Sequence, residues 1–438
     1  MTVNYLNIII SKLGPYSKVN VISFILLGFC AGLPLPLIGA TMSAHLMEAG
    51  INYTSIGLFA LAGTPYALKF IWSPFVDTLK IPFLYKYLGK RKSWVFLMLI
   101  ILFLIFLLIS QINPASSLFL LAVLVFFAAF FSATQDIALD AYRIELHQEK
   151  DLAAGIATYV FGYRIALIVS GAGALYLAEF FSWKIAFIVM SFCFLLGPLI
   201  LLILPNIDEE KKNSNSKKSF VENFLNWIKS AVIEPFTEFI KRPQWLWILL
   251  FIALYKLGDA LAGNMTTPFL LDIGFSKIDI ANIVKVFGLF ATLIGLFLGG
   301  LIVSNKGIMF ALLIGGVFQM LSNFMFAALA YMNLNTYLLM ATISIENISG
   351  GLGTAAFLAY LSKLTNTNYT ATQFALLTSF MALARTQLSA PSGWMVEGIG
   401  WNNLLPFYNL EYLDWLCFFI LTAFLAIPAL LILGKAAK

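Results

Sequence analysis

Nine ionisable side chains stand well inside long apolar runs of this chain: Lys69, Asp136, Asp140, Arg164, Lys256, Asp259, Lys285, Glu346 and Arg385. A charge carried into hydrocarbon costs about 2.5–3.5 kcal/mol. Nine of them would cost roughly 20–30 kcal/mol, more than the 5–15 kcal/mol by which a typical fold is stable. They must therefore pair, meet water, or both. Lys256 and Asp259 in ALYKLGDALAG are three residues apart and share a helix face, so they can pair locally. ATQDIALDAYR puts Asp136, Asp140 and Arg143 on one face, and SIENISGGLGTAAF sets Glu346 beside Asn347 ahead of three glycines that permit close helix contact. Arg164 in FGYRIALIVSGAG and Arg385 in LARTQLSAPSG sit mid-run, where a guanidinium can hold a carboxylate through two parallel hydrogen bonds.

Joining helices does not require such groups, because a buried ion pair is often replaceable by apolar residues without loss. Passage of a solute does supply a reason. Buried carboxylates can carry coupling protons, and buried cations can hold an anion. Asp136, Asp259 and Glu346 are expected to handle protons, while Arg164, Lys256, Arg385 and Asn347 are expected to meet an anionic ligand. Lys69 reads as a helix-joining charge, Lys285 reads equally well either way, and Asp140 with Arg143, near a membrane boundary, reads as a gate-locking pair.

The elements that must position these groups are legible in composition. The 438 residues are 61% hydrophobic and 11% charged, with mean hydropathy +0.91; soluble domains carry about 25% charged residues. Turn and charge signals divide the chain into twelve apolar spans: 19–44, 54–77, 93–110, 118–142, 152–178, 184–204, 244–271, 277–304, 308–331, 335–362, 371–395 and 412–434. Continuous runs without period-two alternation favour helices over barrel strands. The first run is too long for a signal peptide and is expected to be retained. The N-terminal tail, the loops after even-numbered spans up to the tenth and the C-terminal tail hold 20 of the 27 basic residues, which predicts that both termini are cytoplasmic. The net charge of +6 is thus a topology signal, and no nucleic-acid partner is expected. Cys30, Cys193 and Cys417 are isolated, as are His45 and His147, so no metal or redox pair is expected.

Residues 1–204 and 244–438 each hold six spans, and 205–243 links them. The linker opens with PNIDEEKKNSNSKKS and continues as FVENFLNWIKSAVIEPF, where Phe220, Phe224, Trp227 and Ile228 predict an amphipathic helix on the cytoplasmic surface. The halves echo each other in a Gly-and-basic turn after spans 2 and 8, and in Glu179-x-x-x-Trp183 and Glu397-x-x-x-Trp401 after spans 5 and 11. Two parallel six-span halves describe the major facilitator architecture: an all-α integral membrane protein with twelve transmembrane helices in two pseudo-symmetric bundles. Asp77 and Gly89-Lys90-Arg91-Lys92 form a degenerate version of that superfamily's loop signature, so Asp77 and Arg91 are expected to act in gating. The nine charges avoid spans 3, 6, 9 and 12, which are peripheral supports in that architecture.

Eight segments, in order, resemble the AmpG muropeptide permeases: GFCAGLPLPLIGAT, TSIGLFAL, ALKFIWSPFVD, SATQDIALDAY, FGYRIALIVSGAGALYLAE, LYKLGDALA, IENISGGLGTAAF and ATQFALLTSF. The resemblance runs from about residue 24 to 405. It implies proton-driven import of anhydro-muropeptides (an N-acetylglucosaminyl-1,6-anhydro-N-acetylmuramyl disaccharide with or without stem peptide) from periplasm to cytoplasm, across a bacterial inner membrane. It implies no cofactor beyond the proton gradient, no enzymatic step and a monomer, with tyrosines such as Tyr159, Tyr163 and Tyr255 meeting sugar faces. Thr78 departs from the basic residue common after the signature Asp. Some relatives carry two further C-terminal spans, whose absence is not expected to remove transport. A transporter of another anion such as acetyl-coenzyme A and a non-transporting membrane sensor remain open alternatives.

Overall fold

The computed structural model describes residues 18–146, 149–207, 244–364, 370–405 and 410–436, with Thr237, Ile240 and Lys241 between. The expected amphipathic helix of the linker lies outside the described residues. Helices occupy all twelve expected spans: α1 Val19–Glu48, α2 Tyr53–Ile71, α3 Leu84–Ile109, α4 Pro114–Leu146, α5 Ala154–Phe180, α6 Trp183–Ile203, α7 Trp245–Asp272, α8 Lys277–Lys306, α9 Ile308–Met332, α10 Thr336–Lys363, α11 Thr370–Ser389 and α12 Leu413–Lys435. Ten of these are long and apolar enough to cross a membrane by length and composition. The other two, α10 and α11, are 28 and 20 residues long but more polar. They are the helices that carry Glu346, Asn347 and Arg385.

Several boundaries differ from those expected. α3 begins at Leu84, so the basic stretch before Trp94 is helical, with a kink where Gly89 takes φ 69°. Lys92 therefore lies within α3, where its amine donates to the Leu204 carbonyl at 2.6 Å and to Asn206 Oδ1 at 2.9 Å. A cation satisfying the last carbonyls of α6 complements that helix's C-terminal dipole. α4 extends to Leu146, which puts Asp140 and Arg143 inside the helix. α11 stops at Ser389, and a short helix, Ser392–Glu397, follows the break at Pro391.

Contacts group the chain into two compact units, residues 1–42 with 68–215 and residues 43–67 with 216–438. In the first unit α1 packs tightly on α5. Gly28 lies against the Tyr159 carbonyl and Gly162 against the Ile25 carbonyl, approaches that a Cβ on either side would block. In the second unit α8 and α10 meet the same way, with Gly295 on the Ile348 carbonyl and Gly351 on the Thr292 carbonyl. Small residues at such crossings let backbones approach where lipid offers no hydrophobic drive to associate. An aromatic cluster of Phe269, Phe326, Trp415 and Phe419 fills the interior between α7, α9 and α12.

Regular helix fails at several points, three of them at a buried or half-buried lysine. α1 is interrupted at Gly39 (φ −102°, ψ −113°), just past Pro34 and Pro36. α7 breaks at Tyr255–Lys256, where Lys256 takes φ −105° and ψ 9°. Lys285 falls in a π-helical stretch, Ile280–Phe287, and Lys69 opens a 3₁₀ turn, Lys69–Ile71. Such irregularities occur preferentially at functional positions.

Candidate functional site

In the first unit the charges gather on α4 and its neighbours. Lys69 Nζ lies 3.6 Å from Asp136 Oδ2, with the aspartate side chain 19% exposed. Asp136 Oδ1 has no hydrogen-bond partner among the described residues. One turn on, Arg143 pairs with Asp140 at 2.9 Å and lies over the Tyr159 ring, 4.6 Å from its centroid. Tyr163 tilts beside Tyr159 at 6.3 Å and feels the charges of Asp136 and Arg164. Asp136, Asp140, Arg143, Tyr159, Tyr163 and Arg164 thus share one neighbourhood. Arg91, at the start of α3, grips Glu145 of α4 through Nε and Nη2 at 2.7–3.2 Å. These expected gating residues therefore tie helices of the first unit to one another; the side chain of Asp77 lies outside the described residues.

The second unit holds a denser cluster. Lys256, freed from regular helix by the break in α7, donates to Asp259 Oδ2 at 3.3 Å and to the Gly350 carbonyl of α10 at 3.2 Å. Thr354 Oγ1 donates to the same carbonyl at 2.7 Å. Glu346 stands within electrostatic reach of Asp259, Lys285 and Lys256, and Lys256 within reach of Arg385. Three cations and two carboxylates from α7, α8, α10 and α11 thus interact, leaving one positive charge in excess when both carboxylates are ionised. Asn347 is fixed at both ends of its amide. It donates to the Ile343 carbonyl at 3.0 Å and to Glu346 Oε2 at 3.4 Å, and accepts from Thr292 Oγ1 at 2.8 Å. These bonds hold its amide between α8 and α10, beside Glu346.

Tyr255 sits elsewhere. It is 3% exposed, stacks on Phe357 at 5.0 Å and donates its hydroxyl to the Leu312 carbonyl at 2.9 Å, all within the core of the second unit. A phenol so engaged packs helices.

Sequence reasoning misses Gln319, because α9 carries no charge inside the span and reads as a peripheral support. Gln319 is 3% exposed, its Nε2 lies 3.5 Å from the Ser349 carbonyl, and with Lys256 Nζ it crowds the space above Gly353. A lone amide in an otherwise apolar run is the available signal. Gln135, fully buried beside Asp136, escapes the same reasoning; both its side-chain polar atoms are unpartnered among the described residues.

A helical membrane protein with charges collected in this way has the make-up of a solute carrier, and the Major Facilitator Superfamily model matches residues 20–386. A point mutant of the nucleoside transporter NupG superposes with TM-score 0.67 at 13% identity, covering 96% of this chain and all of that one. A bacterial homolog of the human lysosomal transporter Spinster superposes with TM-score 0.68 at 15% identity, covering 97% of each chain. In sequence, the putative transporter AmpG 4 of Rickettsia felis is 38% identical over 93% of this chain and 94% of its own length. The anhydromuropeptide permease of Escherichia coli K12 is 35% identical over 87% of this chain and 75% of its own length. The chain belongs to the major facilitator superfamily and, within it, to the AmpG-like permeases: it is a multi-pass membrane transporter and not an enzyme.

Proposed function

We propose that the chain imports anhydro-muropeptides from periplasm to cytoplasm, coupled to protons, with both termini cytoplasmic. The observation that carries this reading is the second-unit cluster of Lys256, Asp259, Lys285, Glu346 and Arg385, with its excess positive charge, in a chain related to anhydromuropeptide permeases. The lactyl or stem-peptide carboxylate of such a ligand is the group a guanidinium and an ammonium within the membrane span would hold. Arg385, Lys256 and Arg164 are assigned to that anion, and Tyr163 to a sugar face. Glu346, Asp259 and Asp136 are the proton carriers, because each is a carboxylate set among cations whose pairing a bound anion would change. Asp77, Arg91, Asp140 and Arg143 act in gating at the cytoplasmic end.

Labelled anhydro-muropeptide uptake into proteoliposomes, competed by free disaccharide, peptide-bearing disaccharide and coenzyme A esters, tests the cargo. The disaccharides are expected to compete at comparable concentrations, and coenzyme A esters not at all. Competition by coenzyme A esters alone would replace the muropeptide reading with that of a nucleotide-ester carrier.

A further inference from the structure

Between α2 and the spanning part of α3, after the short helix Ser73–Thr78, the chain runs LKIPFLYKYLGKRK over residues 79–92. This stretch holds five basic and no acidic residues, and no Asp or Glu follows until Asp136. Two of the five are engaged within the first unit: Arg91 with Glu145, and Lys92 with the end of α6. Lys80 and Lys86 are exposed. So are three apolar side chains among them: Leu79 at 47%, Phe83 at 89% and Tyr87 at 72%.

The backbone itself turns Phe83 outward. Phe83 takes φ 64° and ψ −53°, and the Leu84 amide donates to the Pro82 carbonyl at 2.7 Å. Pro82, Phe83 and Leu84 thus form a γ-turn of the rare, strained kind with positive φ. A bulky side chain is an outlier there, whereas glycine would adopt the turn freely. The ring that this turn presents is almost wholly uncovered among the described residues, so packing against the protein does not offset the strain.

The neighbouring residues set this ring at the membrane edge. The indole of Trp94, which opens the apolar run of α3, donates to the Leu79 carbonyl at 3.0 Å. Tryptophan favours the level of the lipid headgroups. α3 bends at Gly89 (φ 69°), so residues 84–88 leave the axis of the spanning helix. Lys80 donates to the Tyr85 hydroxyl at 2.7 Å and lies over that ring, 4.2 Å from its centroid, which holds a cation beside the apolar group.

We propose that residues 79–90 are a lipid-docking surface: Leu79, Phe83 and Tyr87 enter the boundary between headgroups and acyl chains, and Lys80, Lys86 and Lys90 engage anionic phospholipid headgroups. Apolar burial and attraction to negative lipid together are what hold a segment in that boundary. Flexible lysines flanking one protruding ring suit a fluid surface, because they reach headgroups at varied depth. Docking would hold the junction of α2 with α3, and with it the Arg91–Glu145 contact, against the membrane. The proposal requires neither a particular cargo nor a coupling ion.

The test uses the full chain with Cys30, Cys193 and Cys417 replaced by alanine and Tyr87→Cys carrying a nitrobenzoxadiazole fluorophore, which stands in for the Tyr87 ring. Nanodiscs, open to solvent on both faces, are made of phosphatidylcholine alone or mixed with phosphatidylglycerol. Quenching by acrylamide from water and by nitroxide-bearing lipid reports whether the fluorophore is out or in. In the mixed lipid it should be shielded from acrylamide and quenched by the nitroxide. Phe83→Gly should shift that balance roughly tenfold toward water. Its melting temperature should stay at or above the parent's, because glycine relieves the turn. Lys80→Gln and Lys86→Gln should each shift the balance about fivefold in the mixed lipid, and not in phosphatidylcholine. Equal quenching of the parent and Phe83→Gly would overturn the docking surface. Lysine variants that behave alike in both lipids would overturn anionic headgroups as its partner. Shielding found in native membrane vesicles but in neither nanodisc would overturn it in favour of a protein partner.

Discussion

Lys256 is the residue on which most of the second-unit site converges. Its ammonium spans the break in α7, the Asp259 carboxylate and the Gly350 carbonyl. Removing one partner of a fully sealed ion pair costs about 3–5 kcal/mol. The cost here should be smaller, because the two side chains keep 16% and 23% exposure. Lys256→Met is expected to lower both the thermal midpoint in detergent and muropeptide uptake. Adding Asp259→Leu should recover most of the midpoint and none of the uptake. Recovery of both would reduce the pair to a helix fastener. The guanidinium of Arg385, on an exposed residue and lacking an ion-pair partner within 4 Å among the described residues, makes the simpler case: Arg385→Ala should insert normally and transport nothing.

At the scale of elements, neighbouring glycines in α10 separate packing from openness. A Cβ at Gly351 would press on the Thr292 carbonyl and come within 2.8 Å of the Leu296 amide of α8, whereas nothing lies within 4 Å of one at Gly350. Both positions are helical, so alanine gains intrinsic helix propensity at each, about 1 kcal/mol. Overpacking costs typically about 1–3 kcal/mol and applies at Gly351 alone. Gly350→Ala should therefore melt at or above the parent temperature, and Gly351→Ala below it, in a thermal-shift assay on detergent-purified protein. Equal melting of the two would mean that α8 and α10 yield easily at this crossing. That matters for the site, since α8 and α10 carry Lys285 and Glu346.

For the whole molecule the decisive quantity is the energy that drives uphill transport. One net positive charge moving down 100 mV yields about 2.3 kcal/mol, enough for roughly fifty-fold accumulation when the cargo and its coupling protons together carry that charge. Energised vesicles should therefore concentrate labelled muropeptide, and a protonophore should return the internal concentration to the external one. Accumulation that survives collapse of the gradient would remove proton coupling and leave Glu346, Asp259 and Asp136 as structural charges.

Composition, apolar run length and the separation of basic loops were enough to read the superfamily and the twelve helices, though not that the basic stretch up to Lys92 is part of α3. These follow from local rules: a backbone in lipid must satisfy its own hydrogen bonds, and each span must be long enough to cross. The charged membership of the site was legible for the same reason, since an ion in an apolar run is conspicuous. Its partners were not. The Gly350 carbonyl reaches Lys256 from a helix distant in sequence, Tyr255 belongs to the core, and Glu145 of α4 holds Arg91. Only the tertiary structure decided which helices stand side by side, where helix regularity gives way, and that residues 43–67 pack with the second unit. Those outcomes depend on contacts between segments far apart along the chain, which periodicity and charge along one segment do not encode.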